Sequence, residues 1–304
     1  YIRKAIESVL MQEVDFPMEI VLGDDDSSDG TREICVEYAN NHPDLIRLQL
    51  HHRENNHSLY GRPTQLFQYW YNTLVARGKY LAPLSGDDYW TDKKKLQQQV
   101  AFLEGNPRYS LTHHNAQVVD DIGRVKEESY FGEEEKRELD KEDLVRAPLV
   151  VASSALFQNV FSRVPNEFMC SFHEDRLVTS MMSKYGRGRY YHKKMCAYRK
   201  TGDGLYDSSK RKVKTKDKIK YINIIKNVIC KEKKCVKIMA VEKAKVAKNR
   251  YIKSIKKGSY CSAIRHFMSA SVKLSKSGNL KKLLSWFLLS FRYTLGLAKK
   301  RLKK

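Results

Sequence analysis

An open α/β domain with a mostly parallel sheet covered by helices on both faces, followed by a basic helical tail, is the fold that the sequence predicts. Two patterns carry this expectation. From the first residue to Pro107, short apolar runs alternate with stretches of helical period, as strands joined by crossover helices require. Charge is divided as well: after Ser209 there are 30 Lys and Arg against three acids, Asp217, Glu232 and Glu242, in a 304-residue chain of net charge +22. The part before the tail is therefore acidic, and the two parts need separate explanations. Hydrophobic residues make up 41% of the chain, enough for a packed core and too many for wholesale disorder.

Each element follows from local pattern. Ile2, Ile6, Val9 and Leu10 form one apolar stripe at helical spacing. Met18 to Leu22 is a buried strand ending at Gly23 and an acidic turn. Thr31 to Asn40 reads as a helix that Ser28 or Asp29 caps, and Ile46 to Leu50 as the second strand. Leu66, Phe67, Trp70, Tyr71 and Leu74 mark a helix ending near Gly78, and Lys79 to Leu84 a third strand. Leu96, Val100 and Leu103 mark a helix that stops before Pro107. Beyond it come a strand from Ser110 to Asp120, a turn at Asp121-Ile122-Gly123, a charged stretch to Arg146, and a strand from Leu149 to Phe157. A helix from Glu174 to Tyr185, closed by Gly186, and a strand from Arg189 to Tyr198 complete the domain. The expected division is an α/β domain over 1–206 and a basic helical extension over 207–304.

The six cysteines show neither zinc nor disulfide spacing and read as ordinary thiols, which suits a reducing cytoplasm. The apolar run from Leu283 to Ala298 is short for a membrane span and is broken by Ser290, Arg292 and Thr294. With lysines on both sides and aromatic residues between, residues 280–304 suit a segment lying on an anionic membrane surface. The alternative is a solvated helical bundle.

Three clusters carry chemistry. Gly23-Asp24-Asp25-Asp26-Ser27-Ser28-Asp29-Gly30 lies between a strand and a helix, where open α/β sheets bind ligands. Carboxylates there accept hydrogen bonds from a base or a ribose, although the same residues also make ordinary turns. Ser85-Gly86-Asp87-Asp88 follows another strand and offers paired carboxylates to a hard divalent cation. His173-Glu174-Asp175 opens a helix, whose dipole keeps a carboxylate ionised as a general base requires; a plain N-cap is the other reading. His113 and His114 either line a cleft or sit as paired polar residues at a sheet edge.

In this order, the segments EIVLGDDDSSDGT, GKYLAPLSGDDYWTDKKKLQQQVAFLE, HED at 173–175 and YRKTGDG at 198–204 resemble glycosyltransferase family 2, from Tyr1 to about Tyr206. The resemblance implies the GT-A fold, a Rossmann-like, doubly wound sheet. It implies that Asp24, Asp25, Asp29, Asp88 and Arg199 contact a nucleotide sugar, that Asp87 binds Mg or Mn, and that Asp175, with Glu174 beside it, is the catalytic base. Three departures stand out. Ser85 replaces an acid, which leaves Asp87 and Asp88 to hold the metal. Thr201 stands where relatives carry His. The sequence opens inside the family's first helix, so the family's first strand is expected upstream, as in a fragment or beyond an earlier start codon.

The expected activity is metal-dependent, inverting transfer from a nucleotide-sugar donor to a hydroxyl of a glycan or lipid-linked acceptor, by an enzyme peripheral to the inner face of the cell membrane. Two other classes compete: a catalytically inactive nucleotide-binding relative, and a nucleic-acid-binding protein suggested by a pI near 9.6. The lack of an interleaved aromatic motif or a known module argues against nucleic acid as a partner.

Overall fold

The computed structural model describes residues 1–56, 58–59, 61–146, 150–201, 211–230, 232–257 and 259–276, together with 278 and 285. Most of segment 280–304, and residues 202–210 of the YRKTGDG stretch and its neighbourhood, lie outside the described residues. Cα packing divides the chain into one unit ending at Asp217 and another beginning at Lys218.

In the first unit, α1 (Ile2–Leu10) sets Ile2, Ile6 and Leu10 on one face, as four-residue spacing requires. That face packs with Leu22, Cys35, Tyr38 and Ile46. β1 (Ile20–Asp25) and β2 (Ile46–His51) pair in parallel, from Ile20 opposite Ile46 to Asp25 opposite His51, with α2 (Thr31–Asn41) as the crossover. A short antiparallel hairpin of β3 (Ser58–Leu59) and β4 (Arg62–Pro63) leads to α3 (Leu66–Val75). This helix lies so close to β1 that a Cβ at Gly23 would collide with the side chains of Asn72 and Gln68.

After β5 (Tyr80–Leu81), β6 (Tyr89–Trp90) and α4 (Lys95–Gly105) come the long β7 (Tyr109–Val119) and the short β8 (Val125–Glu127). Next are α5 (Lys141–Val145), β9 (Leu156–Gln158), α6 (Glu174–Met182) and β10 (Arg187–Arg199). These strands form a second sheet in the order β5-β9-β7-β10-β6, with β8 on β7. Its core gathers Trp90, Leu96, Leu103, Ala116, Leu156 and Cys196.

The expectation of a mostly parallel sheet needs correction. β1/β2 and β7/β10 are parallel, but β7/β8, β7/β9, β5/β9 and β6/β10 are antiparallel. Past Pro107 the alternation of strand and helix lapses, and β7 returns on itself through the Asp120–Arg124 turn, too short for the crossover that parallel pairing demands. Strand lengths differ too. β5 stops at Leu81, two residues before Pro83, which has no amide to donate. Of the expected Leu149–Phe157 strand, Leu156 and Phe157 pair in the sheet while Ala152–Ser154 turns as a 3₁₀ helix, and Leu149 lies outside the described residues. Gly186 does not cap α6 in the left-handed conformation. The helix stops at Met182, and Gly186 is where a Cβ would strike the backbone from Arg108 to Ser110, at the start of β7.

In the second unit, the last residues of α7 (Arg211–Ile224) run into a π turn, Ile225–Ile229, followed by α8 (Lys233–Lys256) and α9 (Tyr260–Lys276). α8 and α9 form an antiparallel hairpin. Tyr251 meets Phe267, Ser254 meets Ser262, and Ala244, Ala247, Ala263 and Ala270 close the seam. Cys230 and Cys235 are joined in a disulfide, contrary to the expectation of free thiols. The break between the π turn and α8 brings their Cα atoms to 5.9 Å, within disulfide range. Among the described residues, no helix is long and apolar enough to cross a membrane.

Candidate functional site

The first acidic cluster begins within β1, whose pairing with β2 continues to Asp25, and Asp26 to Gly30 make the turn into α2. Asp24 is buried; its Oδ2 accepts from Arg32 Nε at 2.6 Å and from the Ser27 amide at 3.2 Å. Burial pushes its carboxyl up, but the bonds from Ser27 and Arg32 outweigh this and hold it below the ordinary range. Asp24 Oδ1 is buried with no hydrogen-bond partner among the described residues. Asp25 accepts from Asn56 Nδ2 at 2.5 Å, and burial raises its carboxyl despite that bond and the charges of His51 and Arg53. Asp26 turns the chain at φ 59, a conformation that Asp tolerates better than most residues. Exposed Asp29 accepts from the Thr31 amide at the start of α2, and this bond lowers its carboxyl.

The second cluster has two unlike carboxylates. Asp88 is buried, its Oδ1 accepting from the Arg199 amide at 2.9 Å and its Oδ2 from the Ser153 hydroxyl. Burial pushes it up to about 7, the Ser153 bond opposing and the Asp87 charge adding. Asp87 is half-exposed, and among the described residues no hydrogen bond or ion pair reaches its carboxylate. Asp87 thus suits a hard cation, whereas both oxygens of Asp88 are already engaged. Among the described residues no three His, Cys, Asp or Glu side chains cluster as a ready-made metal cage.

Arg199, at the end of β10, is almost fully buried. Its Nε donates to the Asp87 carbonyl, and its Nη1 to the carbonyls of Asp120 and Asp121 at 2.7 and 2.6 Å. Its guanidinium also lies 4.5 Å from the centre of the Tyr1 ring. It is committed to the protein's own backbone. Trp90 packs beneath the acidic loop and donates to the Ser153 carbonyl at 2.8 Å. Lys95 is fully buried against the Trp90 ring, bonded to Gln99, and burial lowers its amine to about 7.

The third cluster opens α6. His173 is the N-cap residue, and Asp175 Oδ1 accepts from the Arg176 amide at 2.7 Å. Burial raises Glu174 to about 8, with the charges of Asp175 and Asp217 adding; burial also raises Asp175, against the pull of Arg176. Asp175 lines a small crevice with Tyr69, Pro83, Leu111, Ala152 and Phe157. Tyr69 is driven upward by burial and then by the charges of Glu174 and Asp175.

Two residues that the sequence does not single out tie this arrangement together. Ser153 holds Asp88, while the preceding Ala152 lines the Asp175 crevice, so one 3₁₀ turn serves both clusters. Asp217, fully buried, accepts from the Ser171 hydroxyl at 3.2 Å and the Phe172 amide at 3.3 Å, and lies 3.3 Å from His173 Nε2. Among the described residues no hydrogen bond or ion pair joins the β1 cluster to the Asp87–Asp88 cluster. His113 and His114 line no cleft. They are buried in the central strand β7, where burial lowers both, His113 to about 4.

With this geometry, residues 1–148 match the family model described as glycosyl transferase family 2. The matched segment covers just under half of the chain. Two proteins named only as uncharacterized, from Mycobacterium tuberculosis and Mycobacterium bovis, are each 32% identical over 158 residues, 52% of this chain and 43% of theirs. A Bacillus subtilis protein named "Putative glycosyltransferase EpsE" is 32% identical over 120 residues, 40% of each chain. The chain thus spans less than half the length of the curated relatives that it matches. The family-2 segment contains the first two acidic clusters; Ser153, the α6 cluster and Arg199 lie beyond it.

Proposed function

We propose that the chain transfers a sugar from a nucleotide-sugar donor to a hydroxyl of a glycan or lipid-linked acceptor, with inversion at the anomeric carbon. The observation that carries this reading is the unequal state of the adjacent carboxylates Asp87 and Asp88. Asp88 is locked inside by Ser153 and Arg199, and the lock presents Asp87 outward. Mg or Mn bound at Asp87 would supply neutralisation of the donor's diphosphate. Asp25, steadied by Asn56, faces the base or ribose, with Asp29 beside it. Arg199 acts as a positioning residue, since its guanidinium is engaged with the protein itself, whereas Asp24 is engaged through Oδ2 alone.

Of the two carboxyls at α6, Asp175 is the better base. It lines the crevice, and the Arg176 amide and helix terminus favour its charged form. Glu174, at about 8, keeps its proton at neutral pH. In the transfer step the acceptor hydroxyl passes its proton to Asp175 as its oxygen bonds to the anomeric carbon. The bond from that carbon to the diphosphate oxygen breaks, and the nucleoside diphosphate leaves with the electron pair. The tail's charge supports a peripheral place at the inner face of the cell membrane.

The test is a panel of nucleotide sugars assayed with the full chain for hydrolysis or transfer in Mg or Mn. Turnover of at least one donor, lost in Asp87→Asn and Asp175→Asn, is the expected result. A folded protein that neither binds nor turns over any donor, or two variants as active as the parent, would overturn the reading.

A further inference from the structure

The second unit contains a cavity of about 170 Å³ among its helices. α8 supplies Lys243 and Arg250, seven residues apart and so on one face; α9 supplies His266, Ser269 and Lys273 with the same logic. Asn223 from α7 adds an amide, and aliphatic side chains complete the wall. Lys243 and Lys273 are half-buried, and Lys273 Nζ donates to Ser269 Oγ at 2.6 Å. Among the described residues no acid lines this cavity. The unit has two, Glu232 and Glu242, and Glu242 is paired with Lys245 at 2.7 Å. Downstream of Glu242 the chain contains no Asp or Glu at all, so no other acidic side chain of this unit can neutralise the cavity.

We infer that this cavity is a binding site for a phosphate-bearing anion. Two ammonium groups, a guanidinium and an imidazole converge where no carboxylate opposes them, and folding them together leaves mutual repulsion. Burial and then neighbouring cations lower Lys243, Lys273 and His266 alike. A multivalent anion relieves that repulsion, and the donors match one. Compact lysine ammonium groups bind phosphate as point charges, Arg250 offers a planar fork at the rim, and Ser269 and Asn223 provide neutral polar contacts. A single carboxylate brings one charge to this many cations, whereas a phosphoryl or diphosphoryl group brings several. The ligand is either a small phosphorylated molecule or the phosphate of a lipid headgroup. The inference does not depend on the sugar-transfer reading, because every residue it uses lies in the second unit.

The experiment is calorimetric titration of inorganic phosphate and diphosphate into the full chain, at constant ionic strength and with chelator present. It is run on the parent, on Lys243→Gln/Lys273→Gln and on Lys273→Gln alone. Flotation runs beside it, comparing phosphatidylcholine vesicles doped with phosphatidic acid with phosphatidylcholine vesicles doped to equal charge with phosphatidylglycerol. Saturable phosphate binding by the parent is expected, weakened about tenfold or more in the double variant, a loss of about 1.4 kcal/mol. The variants keep the parent's helical circular dichroism, because removing crowded like charges does not disturb the helix seam. A preference for phosphatidic acid that the double variant loses assigns the site to a lipid headgroup; phosphate binding without that preference assigns it to a soluble ligand. Equal phosphate binding by parent and folded variants, or none by the parent at millimolar phosphate, overturns the inference.

Discussion

Replacing Glu174 by Gln should make the protein more stable, and the gain in stability should depend on pH. The folded protein holds this carboxyl at about 8 against an ordinary value of 4.5, through burial and then the charges of Asp175 and Asp217. Because the folded value is the higher one, the folded state binds more protons between the two values, and stability drains away as pH rises from 4.5 to 8. At about 1.36 kcal/mol per pH unit, a wholly dry carboxyl would cost about 4.8 kcal/mol above pH 8. Glu174 is only half-buried, and solvent screening reduces the expected cost to about 2 kcal/mol. Glu174→Gln removes it. Urea unfolding of parent and variant at several pH values is the assay. The two stabilities should agree within about 0.5 kcal/mol below pH 4.5 and diverge to about 2 kcal/mol at pH 8. A difference independent of pH, or a variant less stable than the parent at pH 8, would refute the reasoning and make Glu174 an ordinary first-turn residue of α6.

Asp175→Asn should lower kcat at least a hundredfold while leaving donor affinity near the parent's, since a base acts on the acceptor proton; donor binding that collapses with rate would make Asp175 structural. Asp87→Asn should abolish metal-stimulated turnover without changing the unfolding midpoint, and ordinary activity at normal Mg or Mn would remove Asp87 from the metal's path. Asp217→Ala should cost about 2–3 kcal/mol in urea unfolding, because the Ser171 hydroxyl and Phe172 amide lose their buried acceptor; a change under about 0.5 kcal/mol would show that water replaces the carboxylate. The full chain should sediment with anionic but not neutral liposomes, less so in high salt and less so after deletion of residues 280–304; equal binding to both vesicle types would sink the electrostatic account.

Local pattern made the first half of the fold legible. α1, α2, β2, α3 and α4 stand where apolar spacing placed them, because each buries a single continuous face, while β1 runs past its expected end at Leu22 to Asp25. Sheet order was not legible, since the partners of β7 lie up to tens of residues away and nothing in the strand names them. The acidic clusters were visible as composition, but the difference between Asp87 and Asp88 was not. It arises from Ser153 and Arg199, distant in sequence, and a serine in a Val-Ala-Ser-Ser-Ala run carries no distinguishing mark. Asp217 did leave a trace: it is a lone acid among lysines at the head of the tail, and its burial beneath Ser171–His173 accounts for its presence there. His113 and His114 misled because adjacent polar residues suggest an edge, whereas β7 runs through the middle of its sheet.

Arg199 gathers the carbonyls of Asp87, Asp120 and Asp121 around one guanidinium. The β7–β8 turn and the acidic loop are thereby fastened to one peg, although neither touches the other through a hydrogen bond of its own. Neither can be lengthened, shortened or transplanted alone. A grafted turn that moves the Asp120 carbonyl by an ångström must tilt the guanidinium, and the tilt arrives at the backbone of Asp87. Lysine, with a single rotating ammonium in place of a rigid fork, could not keep the three carbonyls in fixed relation. A hairpin turn at the rim of the sheet therefore belongs to the functional loop as much as the residues that border it in sequence.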